Sequence, residues 1–321
     1  MTATGPDAGA GNGTGTDGGA AAGTGRTAAA VVVGAGPAGP VSAVAGAGPA
    51  PTAFDAAERR IWAGRAAAYA DSFAKLCAHP VPMLLDAAGV AAGTAVLDVG
   101  TGPGTVAAAA HGRGARVSAV DAEPGMVALA ALALPGADVR PGALPDLPYD
   151  DASFDAVVAN FVLNHVGRPG AAAAELCRLT RPGGRVALTI WSAAGSPGRA
   201  LLGRAVEAAG ARRPGHLPML EGAFDFPRTE EGLAALLTAA GLTDVVCASV
   251  EWKHRTTREE WWGGAANGVA AIGQTVAGQP PGTIAEIRRH YDVLCGEFTE
   301  EDGSLALPHI ALLAHGRRTA R

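Results

Sequence analysis

The sequence predicts an α/β fold, a doubly wound and mostly parallel sheet with a helical cap inserted late in the chain. Three observations lead to this prediction. Short apolar runs alternate with helical segments between residues 95 and 191, a glycine-rich turn separates the first run from its helix, and proline and glycine interrupt the rhythm after residue 194. Strands that alternate with helices of this length form a parallel sheet with helices on both faces.

The N-terminal part of the 321-residue chain differs in composition from the rest. Residues 1–30 are almost entirely Gly, Ala and Thr. Such a segment buries too little apolar surface to offset the entropy of ordering, so residues 1–53 are predicted to be a disordered tail and linker. Residues 54–321 are predicted to form one domain, whose helical cap covers about 195–231 and 255–300.

The predicted domain begins with helices and continues with the sheet. Trp62, Tyr69, Phe73 and Leu76 share one face of a predicted helix, and a second helix starts at Pro82. The predicted strands then cover residues 95–99, 116–120, 154–161 and 185–191, and the helices between them cover residues 105–111, 124–134 and 171–179.

The last third of the chain adds two strands and several helices. Thr229 is predicted to cap a helix that ends at Gly241. Strands are predicted over residues 243–252 and 304–314. The helices between them are predicted to open with the capping boxes at residues 257–260 and 283–286.

Composition excludes several classes of function. The chain has 25 Lys+Arg against 30 Asp+Glu, a net charge of -5, and no basic block, so a nucleic-acid partner is not expected. The charge-free stretch 27–54 contains four prolines, which argues against a membrane span. The four cysteines are far apart, which predicts reduced thiols in a cytoplasmic protein and offers no metal-ligand spacing.

A first glycine fingerprint follows the apolar run at residues 31–33 and extends from Gly34 to Gly39. In isolation it is typical of a flavin- or nicotinamide-binding turn. Pro40, Pro49 and Pro51 interrupt the helix that should follow, and no second strand ending in an acid comes next. A flavin-binding protein therefore remains a weaker alternative.

A second glycine fingerprint has the expected context. Gly100 and Gly102 end a predicted strand and open a predicted helix, where the backbone must turn tightly and approach a ligand. The next predicted strand ends at Asp121, the place of a carboxylate that accepts hydrogen bonds from a ribose diol.

From this point the chain resembles a class I S-adenosylmethionine-dependent methyltransferase. The further motifs lie at residues 142–149, 151–158, 160–166 and 179–185, in that order. The resemblance covers about residues 54–321 and is strongest over 96–192, within the small-molecule branch related to the ubiquinone- and menaquinone-biosynthesis methyltransferases. It implies a seven-stranded Rossmann-like sheet and S-adenosylmethionine as the cofactor.

The resemblance also implies roles for individual residues. The methionine moiety would lie beside the turn, Asp98 would hold the turn, and Asp121 would bind the ribose. The implied cofactor-binding residues are Asp98, Gly100, Thr101, Gly102, Asp121, Ala122, Met126, Ala143, Leu144, Asn160 and Phe161. Relatives often have an acid at the position of Ala143, so here either Asp146 or a backbone carbonyl would bind the adenine amino group, or the adenine would be held more weakly.

Methyl transfer requires alignment of the acceptor and, for a hydroxyl acceptor, removal of a proton. His165 is the candidate base, and Asn164 and Asn160 are candidates for orienting the acceptor. Packing or local hydrogen bonding remains the alternative role for all three. The candidate substrate residues are Tyr69, Trp191, His254, Trp261 and Trp262. No metal is implied.

The predicted function is therefore methylation of a small molecule, with secondary metabolism as the expected setting. O-methylation is preferred over N- or C-methylation. The alternative is an enzyme of the same fold that catalyses cyclisation or elimination without methyl transfer. A homodimer and an acceptor bound to a carrier protein are both left open.

Overall fold

The computed structural model describes residues 50–217 and 219–320. Two predictions fall on the segment before residue 50 and lie outside the described residues, namely the disordered tail over residues 1–49 and the fingerprint from Gly34 to Gly39. Residues 50–53 of the predicted tail are described, and they include Thr52, the N-cap of the first helix, and Ala53, its first residue. Within the described ranges, no helix combines the length and the apolar character needed to cross a membrane.

Four short helices precede the sheet. They are α1 (Ala53–Trp62), α2 (Ala66–Ala70), α3 (Phe73–Cys77) and α4 (Val81–Ala87). The prediction of one continuous helix through Trp62, Tyr69 and Phe73 is wrong, because the left-handed Gly64 (φ +68°) ends the first helical segment. The aromatic residues of this region therefore belong to separate short helices.

The first half of the domain is an alternating α/β unit. Its strands are β1 (Ala95–Val99), β2 (Arg116–Asp121), β3 (Asp138–Pro141), β4 (Phe154–Asn160) and β5 (Thr180–Trp191). Its helices are α5 (Thr105–Gly112), α6 (Pro124–Ala133) and α7 (Pro169–Leu179). The sequence did not predict β3, a four-residue edge strand with little apolar content.

The second half adds helices and two long strands. The helices are α8 (Pro197–Ala208), α9 (Glu230–Ala239), α10 (Arg258–Ala266), α11 (Ala270–Ala277) and α12 (Pro281–Leu294). The strands are β6 (Leu242–Thr256) and β7 (Leu305–Arg318). The caps at Thr229 and Thr257 are confirmed, but α12 begins at Pro281, so the predicted opening at Thr283 is wrong.

The seven strands form one sheet in the order β3-β2-β1-β4-β5-β7-β6. The pairs among β1–β5 are parallel, and β7 runs antiparallel to both β5 and β6. The predicted doubly wound, mostly parallel, seven-stranded sheet is therefore confirmed. In such a sheet the loops at the carboxyl ends of the strands form the ligand crevice.

Alternation along the strands directs side chains to two separate cores. Leu97 packs with Val157 and Leu176 on one face, whereas Val96 packs with Val158 and Leu84 on the other. Successive residues of a strand point to opposite faces, so buried strands require apolar residues at every position. This explains the continuous apolar runs from which the strands were predicted.

A third cluster lies under the late helices. It joins residues of α8, α10 and α12 to the end of β7, and Tyr291 and Leu201 are fully buried within it. Helices thus occupy both segments that were predicted to be inserted. Their assignment as a cap, and the domain boundaries at 53 and 54, stay predictions.

Close packing of α8 on β7 gives a stability prediction. A Cβ at Gly198 would lie 2.6 Å from the carbonyl oxygen of Pro308, so Gly198→Ala should lower the free energy of unfolding by about 1–3 kcal/mol. A Cβ at Gly203, on the same helix, would have nothing within 4 Å. Gly203→Ala should therefore raise the free energy of unfolding by up to about 1 kcal/mol. Urea unfolding of both variants measures the two effects, and equal effects would contradict the packing described.

Candidate active site

A cavity of about 1020 Å³ lies at the carboxyl ends of the parallel strands. The predicted site residues that line it are Tyr69, Gly100, Gly102, Asp121, Ala122, Met126, Ala143, Leu144, Asn160, Phe161, Asn164, His165, Trp191 and Trp261. The fold therefore brings most of the predicted cofactor and acceptor residues to one site. Asp98, Thr101, His254 and Trp262 do not border it within the described residues.

The turn after β1 needs glycine for two reasons. Gly100 and Gly102 have φ of +64° and +56°, in the left-handed region that disfavours a Cβ. A Cβ at Gly100 would also lie 2.5 Å from Val162 Cγ2. The turn can therefore approach a ligand with its bare backbone, as the motif predicted.

Asp121 fastens this turn from the neighbouring strand. Its Oδ2 accepts a hydrogen bond from the backbone N–H of Gly102 at 2.8 Å, and its Oδ1 accepts one from the N–H of Glu123 at 2.9 Å. Each oxygen of a carboxylate has two acceptor positions, so one position on each oxygen remains for a ligand. Burial raises the pKa of Asp121 above its usual value.

Asp98 lies beneath the turn and is almost fully buried. Its Oδ2 accepts hydrogen bonds from Thr101 Oγ1 at 2.7 Å and from the N–H of Ala107 at 3.0 Å. Its Oδ1 has no hydrogen-bond partner among the residues that the structure describes. Burial raises the pKa of Asp98 to about 7, only partly offset by these two bonds. Asp98 and Thr101 therefore hold the turn rather than line the cavity.

Asn160 and Phe161 end β4 at the cavity. The Asn160 amide donates to the carbonyl of Cys77 at 2.8 Å, and its Oδ1 accepts from Thr189 Oγ1 at 2.6 Å. Both ends of this amide are thus used to join β4 to α3 and β5. Phe161 has φ +60°, a costly conformation for a residue with a Cβ, and such strain is concentrated at functional sites.

His165 follows β4 and is oriented by a residue that the sequence did not identify. Its Nδ1 lies 2.8 Å from Glu58 Oε2, and Glu58 also accepts a hydrogen bond from Trp62 Nε1 at 3.1 Å. A carboxylate only accepts, so the neutral imidazole carries its proton on Nδ1 and keeps Nε2 as an acceptor. Glu58 lies 107 residues away in the chain, so no local pattern could identify the pair.

Asn164 has a structural contact as well as a place in the cavity wall. Its Oδ1 accepts a hydrogen bond from the N–H of Trp191 at 3.1 Å. This bond holds the short turn after β4 against the end of β5. The amide nitrogen of Asn164 is left for other contacts.

Aromatic side chains form another part of the cavity wall. Phe161 and Trp191 are stacked with their centroids 4.2 Å apart, and Trp261 and His309 also line the cavity. Burial lowers the pKa of His309 to about 4, so this imidazole is uncharged at neutral pH. His309 was not among the predicted site residues, because a single histidine in a strand has no local partner pattern.

Two predicted substrate residues lie elsewhere. Trp262 packs on Tyr291 at 5.4 Å between centroids and lies under the guanidinium of Arg288. His254 lies beside Trp261, 5.7 Å between centroids, without bordering the cavity. Asp146, proposed as a replacement for the acid missing at Ala143, is exposed and is likewise absent from the cavity wall formed by the described residues.

Glu123 is a further site residue that the sequence analysis missed. It is the N-cap of α6, where its Oε2 accepts from the N–H of Met126 at 2.8 Å, and its Oε1 accepts from the N–H of Gly64 at 3.2 Å. One side chain thus fixes the start of α6 and the turn after α1. Glutamate is an uncommon N-cap residue, so no sequence pattern identified Glu123.

Comparison with known proteins agrees with this geometry. Residues 97–188 match the family model of a methyltransferase domain. The demethylmenaquinone methyltransferase of Renibacterium salmoninarum is 37% identical over 110 residues, which are 34% of this chain and 46% of that protein. The one from Clavibacter sepedonicus is 41% identical over 105 residues, or 32% and 42% of the two chains. The chain thus spans less than half the length of these relatives.

Among solved structures, the YcgJ protein from Bacillus subtilis is 20% identical with a TM-score of 0.48, over 75% of this chain and 98% of that one. The predicted resemblance to methyltransferases is confirmed by the family match over residues 97–188. The match covers the strands that carry the glycine turn and Asp121.

The buried Asp98 carboxyl gives a prediction about stability and pH. The pKa of Asp98 is about 7 in the folded protein, against 3.8 normally. Between these pH values the folded state holds a proton that the unfolded state has lost. The free energy of unfolding of the parent therefore falls as the pH rises towards 7. Asp98→Asn does not titrate. The free energy of unfolding of Asp98→Asn, relative to that of the parent, should therefore be roughly 2 kcal/mol higher at pH 8 than at pH 5.

Urea unfolding at the two pH values measures this gain. Asp155→Asn is the control, because burial is minor there and a bond from the N–H of Ala95 lowers the pKa of Asp155. That carboxylate is ionised in both states above pH 5, so its difference from the parent should stay constant. A constant difference for Asp98→Asn as well would contradict the burial argument.

Proposed function

We propose that this protein is an S-adenosylmethionine-dependent methyltransferase that O-methylates a small molecule, in secondary metabolism and in the cytoplasm. The observation that carries the proposal is the glycine turn held by Asp121 at the edge of the cavity. The four free cysteines of the described chain support a reducing compartment.

The residues at the cofactor end suit the group that the family implies. Asp121 would accept from the ribose hydroxyls, and the bare backbone at Gly100 and Gly102 would pass beside the methionine moiety. Met126 and Leu144 provide apolar surface for the adenine. The unpartnered oxygen of Asp98 would favour the positive ammonium group nearby. When bound, the cofactor supplies an electrophilic methyl group.

His165 and Glu58 supply the proton chemistry. With Nδ1 committed to Glu58, His165 would take the acceptor's hydroxyl proton at Nε2, and the developing imidazolium would be stabilised by the Glu58 carboxylate. The nearby Trp62 ring packs edge-on against His165, 5.2 Å between centroids, and keeps it in place. A base at this position suits an acceptor that loses a proton on methylation, and a hydroxyl is the acceptor we propose.

The cofactor assignment is tested with Asp121→Asn. This substitution replaces one carboxylate oxygen by an NH2 group, which donates hydrogen bonds and cannot accept one from a backbone N–H. S-adenosylhomocysteine should therefore bind roughly 30-fold more weakly, a loss of about 2 kcal/mol. Titration calorimetry measures this. Asp138→Asn on the adjacent β3, where the exposed Asp138 pairs only with Arg140, is the control and should bind as the parent does. Unchanged affinity in Asp121→Asn would place the ribose elsewhere.

The base assignment is tested with His165→Gln and Glu58→Gln. Turnover of the best acceptor from a panel of phenols, amines and carbon acids, followed as S-adenosylhomocysteine formed, should fall about 100-fold in the first variant. Turnover should fall less in Glu58→Gln, because His165 is retained and only the carboxylate that orients it is lost. Both should bind S-adenosylhomocysteine normally, and the exposed Glu207→Gln should retain full turnover. Normal turnover in His165→Gln would show that this residue only packs.

A further inference from the structure

The cavity wall contains charged residues of both signs. Its carboxylates are Asp55, Glu58, Asp121, Glu123 and Asp225, and its arginines are Arg59, Arg199, Arg213 and Arg228. The segment from Asp121 to Met126 contributes only carboxylates among its charged lining residues, whereas the charged residue that α8 itself contributes is Arg199.

Arg199 carries a charge that the protein does not neutralise. Arg228 forms an ion pair with Asp225. Arg199 has neither a hydrogen bond nor an ion pair with any residue in the ranges 50–217 and 219–320. Arg199 is exposed where it borders the cavity, and its guanidinium is protonated at neutral pH. A cationic group therefore borders the cavity without a counter-ion.

The position of the guanidinium leaves its donors available. Its Cζ lies 5.3 Å from the centroid of the Trp191 ring, which itself stacks on Phe161. A guanidinium that rests on an aromatic face uses its π surface there and keeps the N–H groups at its rim for a planar, bidentate partner. Carboxylates have the geometry that matches this arrangement.

The start of α8 adds a second feature that suits an anion. Arg199 lies in the first turn of this 12-residue helix, whose N-cap Ser196 makes no capping bond with its side chain. The Ser196 hydroxyl has no hydrogen-bond partner in the described part of the chain, and Ser196 also borders the cavity. A helix N-terminus favours negative charge because its first N–H groups are unpaired.

We propose that the methyl acceptor is an aromatic carboxylic acid whose carboxylate binds Arg199 and whose ring packs against Phe161 and Trp191. This inference rests on the proposed function. A free acid, rather than a neutral quinone or a thioester on a carrier protein, is the substrate class that supplies the missing counter-ion. Uncharged analogues would bind more weakly, because they would lack the charge-assisted hydrogen bonds of a carboxylate to Arg199.

The test uses a matched pair of probes, 6-hydroxy-2-naphthoate and its neutral amide, titrated into protein saturated with S-adenosylhomocysteine. The parent should bind the acid about tenfold or more tightly than the amide. Arg199→Gln should lose this preference while binding S-adenosylhomocysteine normally, which also shows that it is folded. Arg204→Gln on the same helix removes an exposed pair with Glu297 and should keep the preference.

The outcomes separate the two proposals. Failure of the parent to bind S-adenosylhomocysteine would overturn the proposed function itself. Normal binding of S-adenosylhomocysteine with equal affinity for acid and amide would overturn only the assignment of the acceptor. A preference for the acid that survives in Arg199→Gln would also overturn it.

Discussion

The site depends on one hydrogen bond, from the backbone N–H of Gly102 to the Asp121 carboxylate. The two residues belong to the ends of adjacent parallel strands, whose register pairs Val99 with Val120. The bond holds the turn after β1 in a left-handed conformation that a residue with a Cβ would resist. It also directs the remaining acceptor positions of Asp121 into the cavity. Turn, cavity edge and ligand acceptor are therefore fixed by the same contact.

This arrangement has an energetic cost that is confined to the site. Burial raises the pKa values of both Asp98 and Asp121, so each carboxylate is less stable in its ionised form than in water. A cationic ligand would reduce that cost, because its positive charge would stabilise the ionised carboxylates. On α8, Arg199 rests on the face of Trp191 and has no ion pair within the described residues. The proposed cofactor and acceptor would each supply a charge that the described residues do not pair.

The sequence predicted what local patterns encode and missed what depends on distant contacts. The strand–turn–helix signal around Gly100 and the acid at Asp121 are contiguous motifs, and the structure brings both to the cavity. The sequence predicted a helical cap over about 195–231 but not the bounds of α8, because proline and glycine interrupt the pattern there, although proline suits the first turn of a helix. The Glu58 contact to His165 joins residues 107 apart, and the exposed place of Asp146 follows from the fold of its loop. Neither leaves a periodic signal in the chain.

The residues predicted from sequence motifs belong to the proposed cofactor site, whereas the residues that the sequence missed belong to the proposed acceptor site. Gly102 and Asp121 lie inside the segment that matches the methyltransferase domain, residues 97–188. Glu58 and Arg199 lie outside it, on α1 and α8. The helices before the sheet are tied to the end of β4 by the Glu58–His165 contact and by the bond from Asn160 to the Cys77 carbonyl. The orientation of His165 is therefore set by elements outside the segment that matches the methyltransferase domain. For this reason the match to that domain does not determine the acceptor, which has to be inferred from the chain's own side chains.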